Sequence, residues 1–583
     1  MNTKAILALA FAGIFAALSA TAALTGVTVN GTPLDSYGSS GEGWTYSGYT
    51  LTLSGAGPFT ISGTNTVSEV LVTVPAGVTN TVTLSNLTLV AASDNQCAFL
   101  LGSGTAVSLT LAGTNTLTSG FNRAGLQVPA NASLSITNAP GDDTASLAAT
   151  GGSYGAGIGG CNYAPGGAVD ISGGVVTAAG GSYAAGIGGG NYGRGGPMNI
   201  SGGTVTATGG TDGAGIGGGF KYEGGTINIS GGRVAATGDG GGAGIGGGNK
   251  GANGNVTISG GTVFAQGGGS GGADIGPGDN GKTTGLNIFT GGTIRLADAS
   301  VVPSPWNNAR QVFCTVVSNL AANQAVALAG LPAAYGVNDV YADADGCIYL
   351  WLPNGEYNFT ANGNQYTVEV DESIEPSGVT INGVDAYLSP DDPDTAGWHF
   401  DLPTRTVLLT GTGAFTISGT NVSGEVRVAV PAGVTNTVTL SNLTLKAMGD
   451  YQCAFALETG ANVSLFLAGA NTLASGKYRA GLGVAAGRTL SITNAPGDDA
   501  ASLSATGGYG AAGIGGGWAS GGTVTLNGGT VTATGGSYGA GIGGGGYGYG
   551  GNTTVNGGTV TATGGQYGAG IGGAYQRSGG TTT

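Results

Sequence analysis

The residues able to do chemistry are few. There is one histidine, His399, so neither a Ser-His-Asp nor a Cys-His arrangement has a second imidazole to draw on. It sits between Trp398 and Phe400, in a stretch that reads as a strand. Carboxylates pair at Asp142-Asp143, at Asp498-Asp499 and at Asp391-Asp392 with Asp394. Each pair lies in a turn containing Pro or Gly, where Asp is favoured for backbone reasons alone. These pairs could bind calcium weakly. Of the five cysteines, Cys97 and Cys453 occupy matching QCAF segments and read as small buried residues. Cys314 and Cys347 share one segment and are expected to pair in an oxidising compartment, which leaves Cys161 over. With no CxxC and no Cys/His cluster, no structural metal site is expected. The run GAGIGG satisfies the dinucleotide pattern GxGxxG, but it recurs along the chain and no helical segment follows it, so that reading fails.

Aromatic residues make the one site-like pattern. Tyr154, Tyr183, Tyr538 and Tyr567 each precede the isoleucine of a GIGG motif by four residues. Tyr163, Tyr192 and Tyr547 follow it by five, with Trp518, Tyr222 and Tyr575 one step out of phase. Rings spaced along a polar face could stack on sugars, burying apolar area while their hydroxyls stay wet. The candidate carbohydrate-binding residues are therefore Tyr163, Tyr192, Tyr222, Trp518, Tyr547 and Tyr575. The competing reading is a stabilising ladder that binds nothing.

Two levels of repetition must position these rings. VPAGVTNTVTLSNLTL, at 74–89, returns unchanged at 430–445, and LSITNAPGDD, at 134–143, returns at 490–499. Both pairs are offset by 356 residues, as a tandem duplication would leave them. At the shorter level Ile158, Ile187, Ile216 and Ile245 recur every 29 residues, with a degraded copy at Ile275 and further copies at Ile514, Ile542 and Ile571. Between them stand ISGG segments and alternating strands such as TVTAT at 204–208. Alternation is the signature of a half-buried strand. Each repeat thus reads as three short strands separated by glycine corners, one coil of a parallel β-helix.

The expected fold is all-β. Two β-solenoid modules, 23–300 and 376–583, are joined by a small β-sandwich at 301–375, where Ile348–Leu352, the turn at Asn354-Gly355 and Tyr357–Thr360 suggest a hairpin. The second module ends at Gly579-Gly580 and three threonines, midway through a coil, so a C-terminus that is either open, and able to associate end to end or take a cap from a partner, or truncated is expected.

Lys4, the apolar run from Ala5 to Leu18 and Ala20-Thr21-Ala22 read as a signal peptide over residues 1–22. Export to a secreted or cell-surface location is expected, with no membrane span in the mature chain. Charged residues are only 8% of the chain and the net charge is −15, a balance that offers little to a phosphate backbone. Nucleic acid is excluded as an expected partner.

From Phe59 to Thr177 the order FTISG, VTLSNLTL, VSLTLAGTNTL, LSITN, GIGG corner and ISGG-like strand resembles bacterial carbohydrate-binding proteins with a right-handed parallel β-helix. That fold is similar to pectate lyases, although those binding proteins are not enzymes. The resemblance implies acidic plant polysaccharides and calcium as associates. Where it implies Asp- and Lys-bearing segments near the GI corner, this chain has Gly and Ala. Enzymes on such coils need several acids or bases converging on one face, and these coils offer Thr, Gly and Tyr. A non-enzymatic protein that binds a polysaccharide or cell-surface glycan is expected, with a purely structural stalk or surface layer as the alternative. Ice binding is a third reading, which unbroken Thr columns would require. Stacking would instead put Arg233, Ala235 and Thr237, then Thr262, Phe264 and Gln266, over Thr204, Thr206 and Thr208.

Overall fold

The computed structural model describes residues 24–583 except 36–37, 68–69, 92, 308–309, 373–376, 388–395, 402–403, 423, 425 and 448. The expected signal peptide at 1–22 and the group Asp391, Asp392 and Asp394 lie outside the described residues. The named elements are all strands, and no helix among the described residues is long and apolar enough to cross a membrane. The chain forms two compact units, one comprising residues up to 307 with 312–371, the other 308–311 with 372–583.

In the first unit each coil supplies three strands, such as Val175–Ala179, Ile187–Gly188 and Met198–Ile200. Every 29-residue step lays a strand parallel to its predecessor and in register. Val176, Val205, Val234 and Val263 form one interior column. A second runs Ile158, Ile187, Ile216, Ile245 and Ile275, and a third Val169, Met198, Ile227 and Val256. All of these are at most 3% exposed. Each such side chain contributes about 1.5–3 kcal/mol of burial, and the sum grows with every coil added. The register also gives the expected outward row, with Thr204, Arg233 and Thr262 aligned and Thr206, Ala235 and Phe264 beside them.

The GIGG corner needs glycine for a specific reason. Gly188 and Gly217 sit at φ 135° and 136°, and a Cβ on either would fall on the carbonyl oxygen of its counterpart one coil on. Only glycine tolerates both the backbone angle and that approach.

The second unit repeats these strands at the constant offset seen in the sequence. Thr79–Val90 matches Thr435–Lys446, Phe99–Leu101 matches Phe455–Leu457, and Ser146–Thr150 matches Ser502–Thr506. Its corner column runs Phe455, Leu482, Ile514, Ile542 and Ile571.

The segment 312–371 departs from the expected separate linker. It holds two small antiparallel sheets, Phe313–Val317 with Ile348–Leu352, and Leu328–Ala329 with Gly355–Ala361 and Asn364–Val370. Val317, Leu350, Leu328 and Phe359 share their core. This pair of sheets belongs to the first unit. Trp351 donates Nε1–H to Ile294 O at 2.9 Å and meets Phe289 edge-on, and the buried Tyr335 hydroxyl donates to Gly292 O at 2.8 Å. The hairpin is also not the expected one. It turns at Asn362-Gly363, where both residues have the positive φ (50° and 81°) that a tight two-residue turn demands. Gly355 is instead the first residue of the next strand, in the other sheet.

The expected Cys314–Cys347 bridge does not form, and all five cysteines are free. Cys314 lies opposite Trp351, whereas Cys347 precedes Ile348, the partner of Val317 at the far end of the ladder. Four residues of strand put the two roughly 13 Å apart, about twice the reach of a disulfide.

Candidate functional site

The turns on either side of the corner impose a left-handed backbone on one residue each. Before the isoleucine this residue is Tyr154 (φ 75°), Tyr183 (66°) and then Asp212 (64°). After it, the residue is Tyr163 (58°), Tyr192 (52°), Lys221 (67°) and Lys250 (63°). Gly or Asn takes this conformation cheaply, and Asn122 does so at 68° one coil earlier. A bulky ring there costs about 1–2 kcal/mol. Tyrosine at these turns is therefore unfavourable for the backbone, and what favours it is what the ring touches.

In the first unit Tyr163 and Tyr192 stack at 5.3 Å with planes 7° apart, and Tyr154 and Tyr183 stack at 6.0 Å. Phe220 joins the two rows, 5.4 Å from Tyr183 and 5.5 Å from Tyr192. Phe121 extends the first row onto Tyr154 at 5.1 Å. Lys221 Nζ then stands 5.1 Å over Phe220 and 5.4 Å over Tyr192. The ring row thus ends in ammonium groups that rest on ring faces.

The second unit carries a longer band. Tyr451, Tyr478, Tyr509, Tyr538 and Tyr567 succeed one another at 5.0, 6.0, 5.4 and 5.0 Å. Trp518, Tyr547 and Tyr575 form a second row at 5.7 and 6.0 Å. Tyr478–Trp518 and Tyr567–Tyr575, both at 5.3 Å, close the rows into one patch. Tyr451, Trp518 and Tyr547 are at least half exposed. A hydrogen bond with Tyr509 pushes the Tyr538 phenol above its usual range.

Of the sequence-predicted residues, Tyr163 with Tyr192 and Trp518 with Tyr547 and Tyr575 come together as expected. Tyr222 does not. Lys221 takes the left-handed position five residues after Ile216, and Tyr222, 42% exposed, makes no ring pair among the described residues. The sequence reading missed Phe220, although it follows Ile216 by four residues as Trp518 follows Ile514, and it also missed Phe121, Tyr451, Tyr478 and Tyr509. The 356-residue offset could have found Tyr451 and Tyr478, since it aligns them with Asn95 and Asn122, also left-handed.

The carboxylates and thiols singled out in the sequence make local hydrogen bonds. Asp142 accepts the Gly113 N–H at 2.8 Å and the Thr144 hydroxyl at 3.0 Å, and the first of these bonds leads in holding its carboxyl below the usual range. Asp498 accepts Gly469 N–H in the same way at 2.7 Å. No group of three or more His, Cys, Asp or Glu able to hold a metal occurs among the described residues. Cys97 and Cys453 donate to Phe99 O and Phe455 O, both at 3.2 Å, and burial pushes the Cys97 thiol up to about 11.

The family model of the Beta helix repeat matches residues 169–191, 199–220, 227–249, 524–546 and 554–575. Together with the parallel coils, these matches support a β-helix fold. No curated protein and no solved structure matches the chain.

Proposed function

We propose that this is a secreted or cell-surface protein that binds carbohydrate through its aromatic bands and catalyses no reaction. The two units, read as tandem copies, would give it two such surfaces. The observation that carries this reading is the placement of Tyr154, Tyr163, Tyr183, Tyr192, Tyr451 and Tyr478 in left-handed turns where a ring is unfavourable for the backbone. Strain of this kind is retained where a side chain serves a contact or a ligand. Exposed rings about one coil apart present a periodic apolar face to a chain of sugar rings.

The second reading, a ladder that only stabilises, draws on the contacts among the rings themselves. The two are separated by retention on immobilised plant and bacterial polysaccharides. Tyr163→Asn with Tyr192→Asn keeps the left-handed turns, and Tyr547→Ala with Tyr575→Ala removes rings in the second unit. Two rings at about 1 kcal/mol each predict roughly thirtyfold weaker binding for each double variant, with the melting temperature nearly unchanged for the Asn pair, where relief of two left-handed turns offsets the lost stacking. Unchanged retention with a clear loss of stability would establish the ladder instead.

A further inference from the structure

The two units share one scaffold but diverge at one place on the corner face. In the first unit the residues that follow Phe99, Leu126 and Ile158 are Leu100, Gln127 and Gly159, in register across three coils. Gln127, 6% exposed, puts a buried side chain at this place, and its backbone hydrogen-bonds Cys97, itself 7% exposed. In the second unit the same places hold Ala456, Gly483 and Gly515. A cavity of about 330 Å³ opens over them and partly exposes Cys453.

The walls change with the floor. In the first unit Asn95, Asn122, Asn162 and Asn191 hydrogen-bond amide to amide in a row at 3.1, 2.8 and 3.0 Å. At the places of the first three, the second unit has Tyr451, Tyr478 and Trp518. On the other side Gly102 and Ala132 give way to Glu458 and Arg488, whose Oε2 and Nη2 are 3.5 Å apart. Arg488 Nε is buried and finds no hydrogen-bond partner among the described residues. The cavity's other cation, Arg479, donates its Nε–H to Tyr451 O at 3.0 Å.

We infer that this cavity, present in the second unit and filled in the first, holds one neutral pyranose ring of a bound glycan. Its volume is at the small end of ligand sites, suited to a single sugar. The rings of Tyr451, Tyr478 and Trp518 supply apolar faces. Glu458 accepts and Arg488 donates within a few ångströms, which matches two neighbouring hydroxyls of one sugar. Arg488 is already paired with Glu458 at 3.5 Å and Arg479 is turned to Tyr451 O, so a uronate carboxylate would have to compete with Glu458 for a guanidinium, whereas neutral hydroxyls need not. This inference rests on the carbohydrate-binding reading and adds a subsite to it.

The test uses the full chain, titrated calorimetrically with neutral hexose trisaccharides and with uronate trisaccharides. Gly483→Gln and, separately, Ala456→Leu refill the cavity with the first unit's residues. Gly483 has an ordinary backbone angle, and its added Cβ would meet the Cys453 sulfur at 3.1 Å, so Ala456→Leu serves as the second, independent filling. Each should weaken binding of a neutral trisaccharide at least tenfold with circular dichroism unchanged, whereas Gln127→Gly in the first unit should alter it less than twofold. Neutral binding within twofold of the parent in both filled variants would overturn the cavity assignment, as would a preference for uronates. If those variants still adhere to polysaccharide, only the subsite falls. If the parent chain retains no polysaccharide at all, the carbohydrate-binding reading falls with it.

Discussion

Replacing Tyr478 by Asn distinguishes a binding surface from a stabilising ladder at one position. The first unit already shows the outcome for the backbone, because Asn122 occupies the equivalent turn at φ 68°, against 66° for Tyr478. The variant loses ring pairs with Tyr451, Tyr509 and Trp518 at 5.0, 6.0 and 5.3 Å. Three partly exposed pairs at the low end of the usual range sum to about 1.5 kcal/mol. Asn in the left-handed turn returns about 1 kcal/mol of that. The net loss is about 0.5 kcal/mol, a shift of roughly 1–2 °C in melting temperature for a unit of this size. If the ring stacks on sugar, affinity should fall by about 1 kcal/mol, or roughly fivefold. Scanning calorimetry and glycan titration on the same preparation give both numbers. A melting temperature lowered by 5 °C or more with affinity unchanged would refute the reasoning.

Gly217→Ala should destabilise the first unit by about 4 kcal/mol, since it forces an alanine to φ 136° and sets its methyl on the Gly246 carbonyl; thermal unfolding or loss of soluble expression checks it. Asn115 accepts the buried Leu87 N–H at 2.9 Å and donates to Ser146 O at 3.0 Å, so Asn115→Ala should cost about 1–3 kcal/mol by denaturant titration, and Asn471→Ala a similar amount in the second unit. Asp343 anchors the two small sheets to Arg295 at 3.0 Å. Burial raises its carboxyl, but the Cys347 N–H, the Tyr349 hydroxyl, the Asp345 N–H and Arg295 outweigh it and leave the group below its ordinary 3.8. A depressed carboxyl stabilises fully above its unfolded value and loses that contribution as pH falls through the folded one. Proteolysis between 312 and 371 should therefore accelerate only below about pH 4, and Asp343→Asn should abolish the dependence.

The solenoid was legible because a parallel coil writes its contacts into the sequence at a constant interval. Ile158, Ile187, Ile216 and Ile245 stand 29 residues apart and touch across coils, so period and register are one observation. The outward alignment of Thr204 with Arg233 and Thr262 followed from the same arithmetic. Where the period stops, the reading weakened. Asn354-Gly355 and Asn362-Gly363 are equally good turn signals locally, and only the partner strand, Phe313–Val317, decides between them. The Cys314–Cys347 pair failed for the same reason, since sheet register is a tertiary fact. At the site, the position of a ring was readable to within one residue. One residue separates Lys221, which holds the left-handed turn, from Tyr222, which does not.

Trp518 allows the central claim to be tested without any substitution. Of the five tryptophans, Trp44, Trp306, Trp351 and Trp398 are at most 7% exposed, while Trp518 is 51% exposed within the aromatic band of the second unit. Tryptophan emission during titration with a retained polysaccharide therefore reports on the band alone. A saturable blue shift that tracks the binding isotherm is the predicted result. Full binding with emission unmoved would contradict the assignment of the second unit's aromatic band as a glycan site.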